Sequence, residues 1–209
     1  MLLVLIAALP AILVYIWYRH SKSELTLPWF LASITAGMVS LIAAAIIQRF
    51  FRPGGSGLSL LFFGVFIRIA LVEEASRYIT LIPLLKAANR GRNASLAFSA
   101  AIGLASGLGF ALLENAFHGM TDIGITLLRV FTAAPLHGAC GIRAGAAIFY
   151  CRKDRAKAIF NFIFAVIIHG TYNLIIINPA LPSALAIIVA FFTFIASLSF
   201  LKPASTEST

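Results

Sequence analysis

Leu71-Val72-Glu73-Glu74-Ala75-Ser76-Arg77-Tyr78 sets two adjacent carboxylates and an arginine inside a run otherwise written in Leu, Ile, Val, Phe and Ala. An ionisable side chain at bilayer depth is costly and usually serves function. On an insertion scale each charge at a helix centre costs roughly 2.5–3.5 kcal/mol, against a gain of about 0.3–0.6 for a large aliphatic residue. Arg68, Glu73, Glu74 and Arg77 unpaired would therefore cost on the order of 10 kcal/mol, which nearly cancels the apolar part of the helix. The stretch needs partners from elsewhere in the chain.

The surrounding composition says what kind of chain this is. Of 209 residues, 61% are hydrophobic and 11% charged, where a soluble domain carries about a quarter charged. In lipid only helices or closed barrels satisfy their own backbone. The apolar runs here are continuous rather than alternating, so the expected class is all-α: a polytopic membrane protein of about seven transmembrane helices with a polar site inside the bundle. A single domain over 1–202 with a short, polar, disordered tail at 203–209 follows, since no segment is large enough for a separate soluble module. The net charge of +9 belongs to basic loops at a membrane surface rather than to a nucleic-acid partner. Cys140 and Cys151 offer no disulfide logic.

The spans read as about 2–18, 28–47, 58–85, 96–117, 123–150, 158–177 and 183–201. Pro28 suits a first helical turn, Pro83 marks a weakened end, and Gly54, Gly55 and Gly57 make a tight turn. Ser99, Gly103 and Gly107 follow at four-residue steps, a spacing that lets helix backbones approach. Arg19, Lys22, Lys86, Arg90, Arg92, Arg152, Lys153, Arg155, Lys157 and Lys202 fall on one side of a seven-span chain, and only Arg49 and Arg52 on the other. That asymmetry predicts a multi-pass protein of the cell (plasma) membrane with its N-terminus outside and its C-terminus cytoplasmic. The first span, followed rather than preceded by basic residues, reads as an uncleaved helix.

Polar residues gather where they cost most. Glu73, Glu74 and Glu114 are three of only seven acidic residues, and His137 and His169 also lie within spans. Arg77 is four residues from Glu73 and three from Glu74, so one guanidinium is expected to reach both carboxylates. On span five Arg129, Ala133, His137 and Gly141 share a face. On span six His169 and Asn173 share one, and two such donors facing a cavity suit an oxyanion. Each feature alone has a purely structural reading: a buried salt bridge, a satisfied core histidine, a helix–helix hydrogen bond, a boundary histidine for His118. Four helices each turning a polar residue to one cavity is much harder to read that way. By helix rise Glu73, His137 and His169 sit near mid-span, whereas Glu114 falls about 10 Å outward.

Glu73-Glu74-x-x-Arg77, Gly107-Leu108-Gly109-Phe110 running into Glu114-Asn115, then His137, then His169-x-x-x-Asn173 resembles the PrsW intramembrane proteases. That family lies within a wider group of CAAX prenyl endopeptidases and bacteriocin self-immunity proteins. The resemblance covers about residues 65–178, within a catalytic core of about 58–178. Arg77 stands where Lys is commoner in PrsW proteins, with the charge kept. The CAAX branch has His where this chain has Glu114, which favours the PrsW branch.

The resemblance implies hydrolysis of a peptide bond in a membrane-anchored protein, such as an anti-sigma factor or another single-span substrate in the lipid bilayer. Glu73 would be the general base that activates water, and Glu74 or Glu114 would orient that water or relay protons. His169 and Asn173 would stabilise the oxyanion, His137 would line the site and Arg77 would orient the carboxylates. No cofactor is favoured. A zinc version would use Glu73, Glu114, His137 and His169, although His-Glu-x-x-His is absent. A proton-coupled transporter is the main reading from another class, but it would string its polar residues through the whole membrane depth and favour inverted repeats. A retinal protein fails for want of a lysine in span seven. A catalytically silent scaffold of the same fold is a third alternative.

Overall fold

The computed structural model describes residues 2–20, 24–51, 57–90, 94–119 and 123–202, with backbone alone for Leu3, His118, Gly119 and Ile125. The expected turn at Gly54 and Gly55, the His118 side chain and the tail 203–209 lie outside the described set. Among the described residues the chain is helical without strands. The helices are α1 (Leu2–His20), α2 (Leu27–Gln48), α3 (58–88), α4 (Leu96–Gly119), α5 (Ile123–Tyr150), α6 (Arg155–Ile177) and α7 (Ala184–Ser197), the last closed by a 3₁₀ turn at Leu198–Leu201. The seven expected spans match these seven helices.

Several boundaries differ for local reasons. Pro83 does not end α3, which runs on to Ala88. Leu85 and Ala88 are buried there in a cluster with Tyr18, Leu25 and Phe98, and that burial outweighs the single hydrogen bond a proline forgoes. Helix α6 starts at Arg155 rather than 158, because Asp154 caps it by accepting from the Lys157 backbone N–H at 3.0 Å. That bond also holds the exposed Asp154 carboxyl below the usual carboxylate range. Pro28 does occupy the first turn of α2.

Helix α4 is the centre of the bundle. Of its span 78% is buried, against 22% for α7. Its partner is α5, and the glycines explain how closely they pack. A β-carbon on Gly103 would run into the Gly141 carbonyl, one on Gly107 into the His137 carbonyl, and one on Gly145 into the Ser99 carbonyl. Gly37 and Gly109 join α2 to the other side of α4 in the same way. Small residues let backbones touch where lipid supplies no hydrophobic drive between helices.

The outer surface is apolar. Leu13, Ile42, Phe131, Ile163 and Phe192 are among many large side chains facing outward, as a lipid-facing surface requires. Four helices (α2, α4, α6 and α7 with its 3₁₀ turn) are long and apolar enough to cross a membrane on composition alone. Helices α3 and α5 have the length, but they carry the charges of the site. Tyr18, Leu25, Leu85, Phe98, Ile148 and Leu201 share one core cluster, so the C-terminal end of α7 and the α1–α2, α3–α4 and α5–α6 connections bearing the basic residues meet at one end of the bundle.

Helix α3 has an interruption that its sequence does not announce. After Leu58–Phe62 it winds as a π-helix over Phe63–Leu71 and returns to α geometry for Val72–Ala88. Wider i→i+5 turns are uncommon and concentrate at functional sites. This one ends at Leu71, two residues before Glu73.

Candidate active site

A continuous run of polar contacts crosses five helices inside the bundle. It begins at the C-terminal end of α2, where Gln48 Nε2 donates to Glu73 Oε1 at 3.0 Å. The Gln48 carbonyl in turn accepts from Arg68 Nε at 3.3 Å. The other oxygen of Glu73, Oε2, is buried without a hydrogen-bond donor and lies 3.4 Å from His169 Nε2. On the far side of that ring, His169 Nδ1 meets Glu74 Oε1 at 2.7 Å. Glu74 Oε2 accepts from Arg77 Nη1.

Arg77 continues the run. Its Nη2 contacts His137 Nδ1 at 3.2 Å, and its guanidinium lies over the Phe110 ring, 4.5 Å from the centroid. His137 Nε2 meets Glu114 Oε2 at 2.9 Å. Arg129 closes the run, Nη2 donating to Glu114 Oε2 at 2.6 Å and Nε to Asn115 Oδ1 at 2.8 Å. Glu74, Arg77, His137 and His169 are each at most 1% exposed. Glu114 and Arg129 are each 19% exposed, so that end of the site opens outward.

Donor and acceptor counts fix much of the proton placement. A guanidinium only donates, so His137 Nδ1 must accept and Nε2 must carry the hydrogen it gives to Glu114. At His169, Nδ1 donates to a carboxylate already paired with Arg77, which turns the Nε2 position to Glu73. Two arginines offset two of the three carboxylates. The third, Glu73, is balanced when one proton is shared between Oε2 and His169 Nε2. A buried cluster needs such neutrality, because an uncompensated charge in this setting is severely penalised.

Most of the expected residues come together, with three differences. Arg77 does not hydrogen-bond both carboxylates: it takes Glu74 and His137, and Gln48 takes Glu73. Gln48 at the α2 terminus donates to Glu73, while Glu74, next in the α-helical segment, faces Arg77 and His169. Asn173, one turn from His169, is only partly buried and forms no hydrogen bond with the cluster among the described residues. Glu114, expected some 10 Å outward, reaches His137 directly. The site sits toward the end of the bundle carrying the α2–α3, α4–α5 and α6–α7 connections, and the close α4–α5 approach extends to it at Gly107 and His137.

Sequence reasoning missed Gln48, Asn115 and Cys140 as neighbours. Gln48 reads as a boundary residue, and its one signal is an amide directly after a long, mostly apolar span. Cys140 is buried, and its sulfur lies within 4.8 Å of ligand atoms of Glu74 and His169.

Those three residues are the compact set that a metal would meet, but the surrounding bonds do not suit one. Both Glu74 oxygens are engaged, one of them by a fixed cation, and the His169 nitrogen on that side bears the hydrogen it donates. His137 Nε2 is likewise committed to Glu114. Glu73 Oε2 and His169 Nε2 are the two donors left facing each other, one short of the three protein ligands typical of a catalytic zinc site.

The fold and the site together define a membrane-embedded helical protein with a buried carboxylate–imidazole centre. The sequence profile described as PrsW family intramembrane metalloprotease matches residues 26–198. The chain belongs to this family, and so to the intramembrane proteases. No curated protein and no solved structure matches it.

Proposed function

We infer that the chain is a glutamic-type intramembrane endopeptidase in which Glu73 and His169 act as the acid–base pair. The observation that carries this reading is the Glu73 Oε2 to His169 Nε2 approach at 3.4 Å, with the opposite edge of each group already held by Gln48 and Glu74. Water taken up at this pair gives a proton to Glu73 as its oxygen attacks the peptide carbonyl. The same proton passes to the leaving amine when the C–N bond breaks, so Glu73 ends as it began. His169, oriented by Glu74 and Arg77, shares that proton and keeps the carboxylate in line.

His169 and Asn173 lie on one face of α6, the side from which a carbonyl oxygen gaining charge would be met by donors. Glu114 and Arg129 hold His137 against Arg77, so their role is positioning. The substrate in this reading is a single-span membrane protein, an anti-sigma factor being one such class. With the basic end of the bundle cytoplasmic and the N-terminus outside, the site falls in the outer half of the plasma membrane.

A metal-dependent reading has the family description and the Glu74, Cys140 and His169 grouping in its favour. Such an ion would supply a Lewis acid, and His169 would have to release Glu74 to join it. Co-expression with candidate single-span proteins separates active from inactive site assignments. Wild type should cut a substrate that Glu73→Gln and His169→Ala leave intact. Cleavage of that substrate by both variants would overturn the assignment.

A further inference from the structure

A second feature lies at the opposite, basic end of the bundle, outside the polar run. A cavity of about 790 Å³ opens between the ends of α3, α4 and α5. Exposed Lys86, Arg152 and Lys153 stand at its rim. Its wall continues down α3 through Leu85 and Ile82 to Tyr78. From Asn89 to Tyr78 that wall follows the helix for about 16 Å at 1.5 Å per residue.

The rim is cationic without compensation. Among the described residues no ion pair engages Lys86, Arg152 or Lys153; the Lys153 ammonium rests 3.9 Å from the centroid of the Phe149 ring. The nearby carboxylate of Asp154 is committed to Lys157 at 3.2 Å and to the cap of α6. Three like charges around one opening repel each other and attract an anion. A small free anion would use only the rim. An amphiphile with an anionic head would use the rim and the apolar wall together. The rim also lies where the helices end, which is headgroup level in a bilayer, and basic clefts between transmembrane helices at that level suit anionic lipid heads.

We propose that this cavity binds an anionic phospholipid, its phosphate head at Lys86, Arg152 and Lys153 and one acyl chain along the partly exposed Ile82 and Tyr78. The site is separate from the reacting groups and does not depend on the reaction assigned to them. The test is native mass spectrometry of the full chain in neutral detergent, titrated with phosphatidylglycerol, phosphatidylcholine or inorganic phosphate. Wild type should retain one phosphatidylglycerol in preference to phosphatidylcholine, with inorganic phosphate competing poorly.

Replacing Lys86, Arg152 and Lys153 together by Gln should weaken phosphatidylglycerol retention roughly a hundredfold, from about a fivefold contribution per basic residue. An equal loss of charge at Arg19, Arg155 and Lys202, which are exposed at the same end but do not line the cavity, should leave it within about threefold. Ile82→Trp should block the wall and weaken the lipid without changing the rim. Equal retention of both lipids would overturn the proposal. So would equal loss in the two triple variants, or competition by inorganic phosphate as effective as that of the lipid, which would assign the rim to a free phosphate.

Discussion

At Arg77 one planar guanidinium binds Glu74 with one nitrogen and His137 with another, and so sets the hydrogen positions on both sides of the site. Lysine keeps the charge but is a single point with no fork. Arg77→Lys should therefore fold and yet lose at least tenfold in cleavage rate, whereas Arg77→Met should also lose about 3–5 kcal/mol of stability by stranding a buried carboxylate. Cleavage assays paired with thermal unfolding in micelles distinguish the two. Gln48→Leu should lower the turnover number with little change in KM, because Gln48 holds the catalytic carboxylate rather than the substrate. At this scale the sequence was readable where residues are expensive: Glu73, Glu74, Arg77, His137 and His169 all stand out as ionisable groups in apolar spans. Gln48 and Cys140 were not readable, because an amide at a span end and a thiol within one carry no comparable penalty.

Among the helices, α4 and α5 decide whether the two halves of the site meet. Their backbones approach at Gly103, Gly107 and Gly141, and a methyl group at 107 would strike the carbonyl of His137 itself. Gly107→Ala should cost about 1–3 kcal/mol by overpacking and should lower cleavage by moving His137 away from Arg77. Gly64, where an added β-carbon meets nothing within 4 Å, is the control: Gly64→Ala should stay within about 0.5 kcal/mol. Chemical or thermal unfolding of the two variants checks both statements. The four-residue spacing of Ser99, Gly103 and Gly107 made this contact legible in the sequence. The π-helix at Phe63–Leu71 was hidden, because a mostly apolar run looks the same whether its bonds span four residues or five.

For the molecule as a whole, seven helices gather the basic ends on one side and the polar run toward the other. The loop charges made that arrangement readable, whereas helix rise alone did not show that the Glu114 side chain reaches His137 from its more outward position. Cys151 is exposed at the basic end and Cys140 is buried. A membrane-impermeant maleimide should therefore label Cys151 in inverted vesicles and not in intact cells; labelling in intact cells alone would reverse the proposed orientation. In the proposed reaction Glu73, paired with His169, performs the hydrolysis by proton transfer. That role is tested most directly by the cleavage rate of purified wild type and Glu73→Gln on one single-span substrate, with bound metal quantified in the same samples and a chelator arm. Wild-type cleavage should survive the chelator without stoichiometric metal, and Glu73→Gln should lose at least about a hundredfold. A stoichiometric metal whose removal stops the wild type, or a Glu73→Gln protein that cuts at the wild-type rate, would contradict that role.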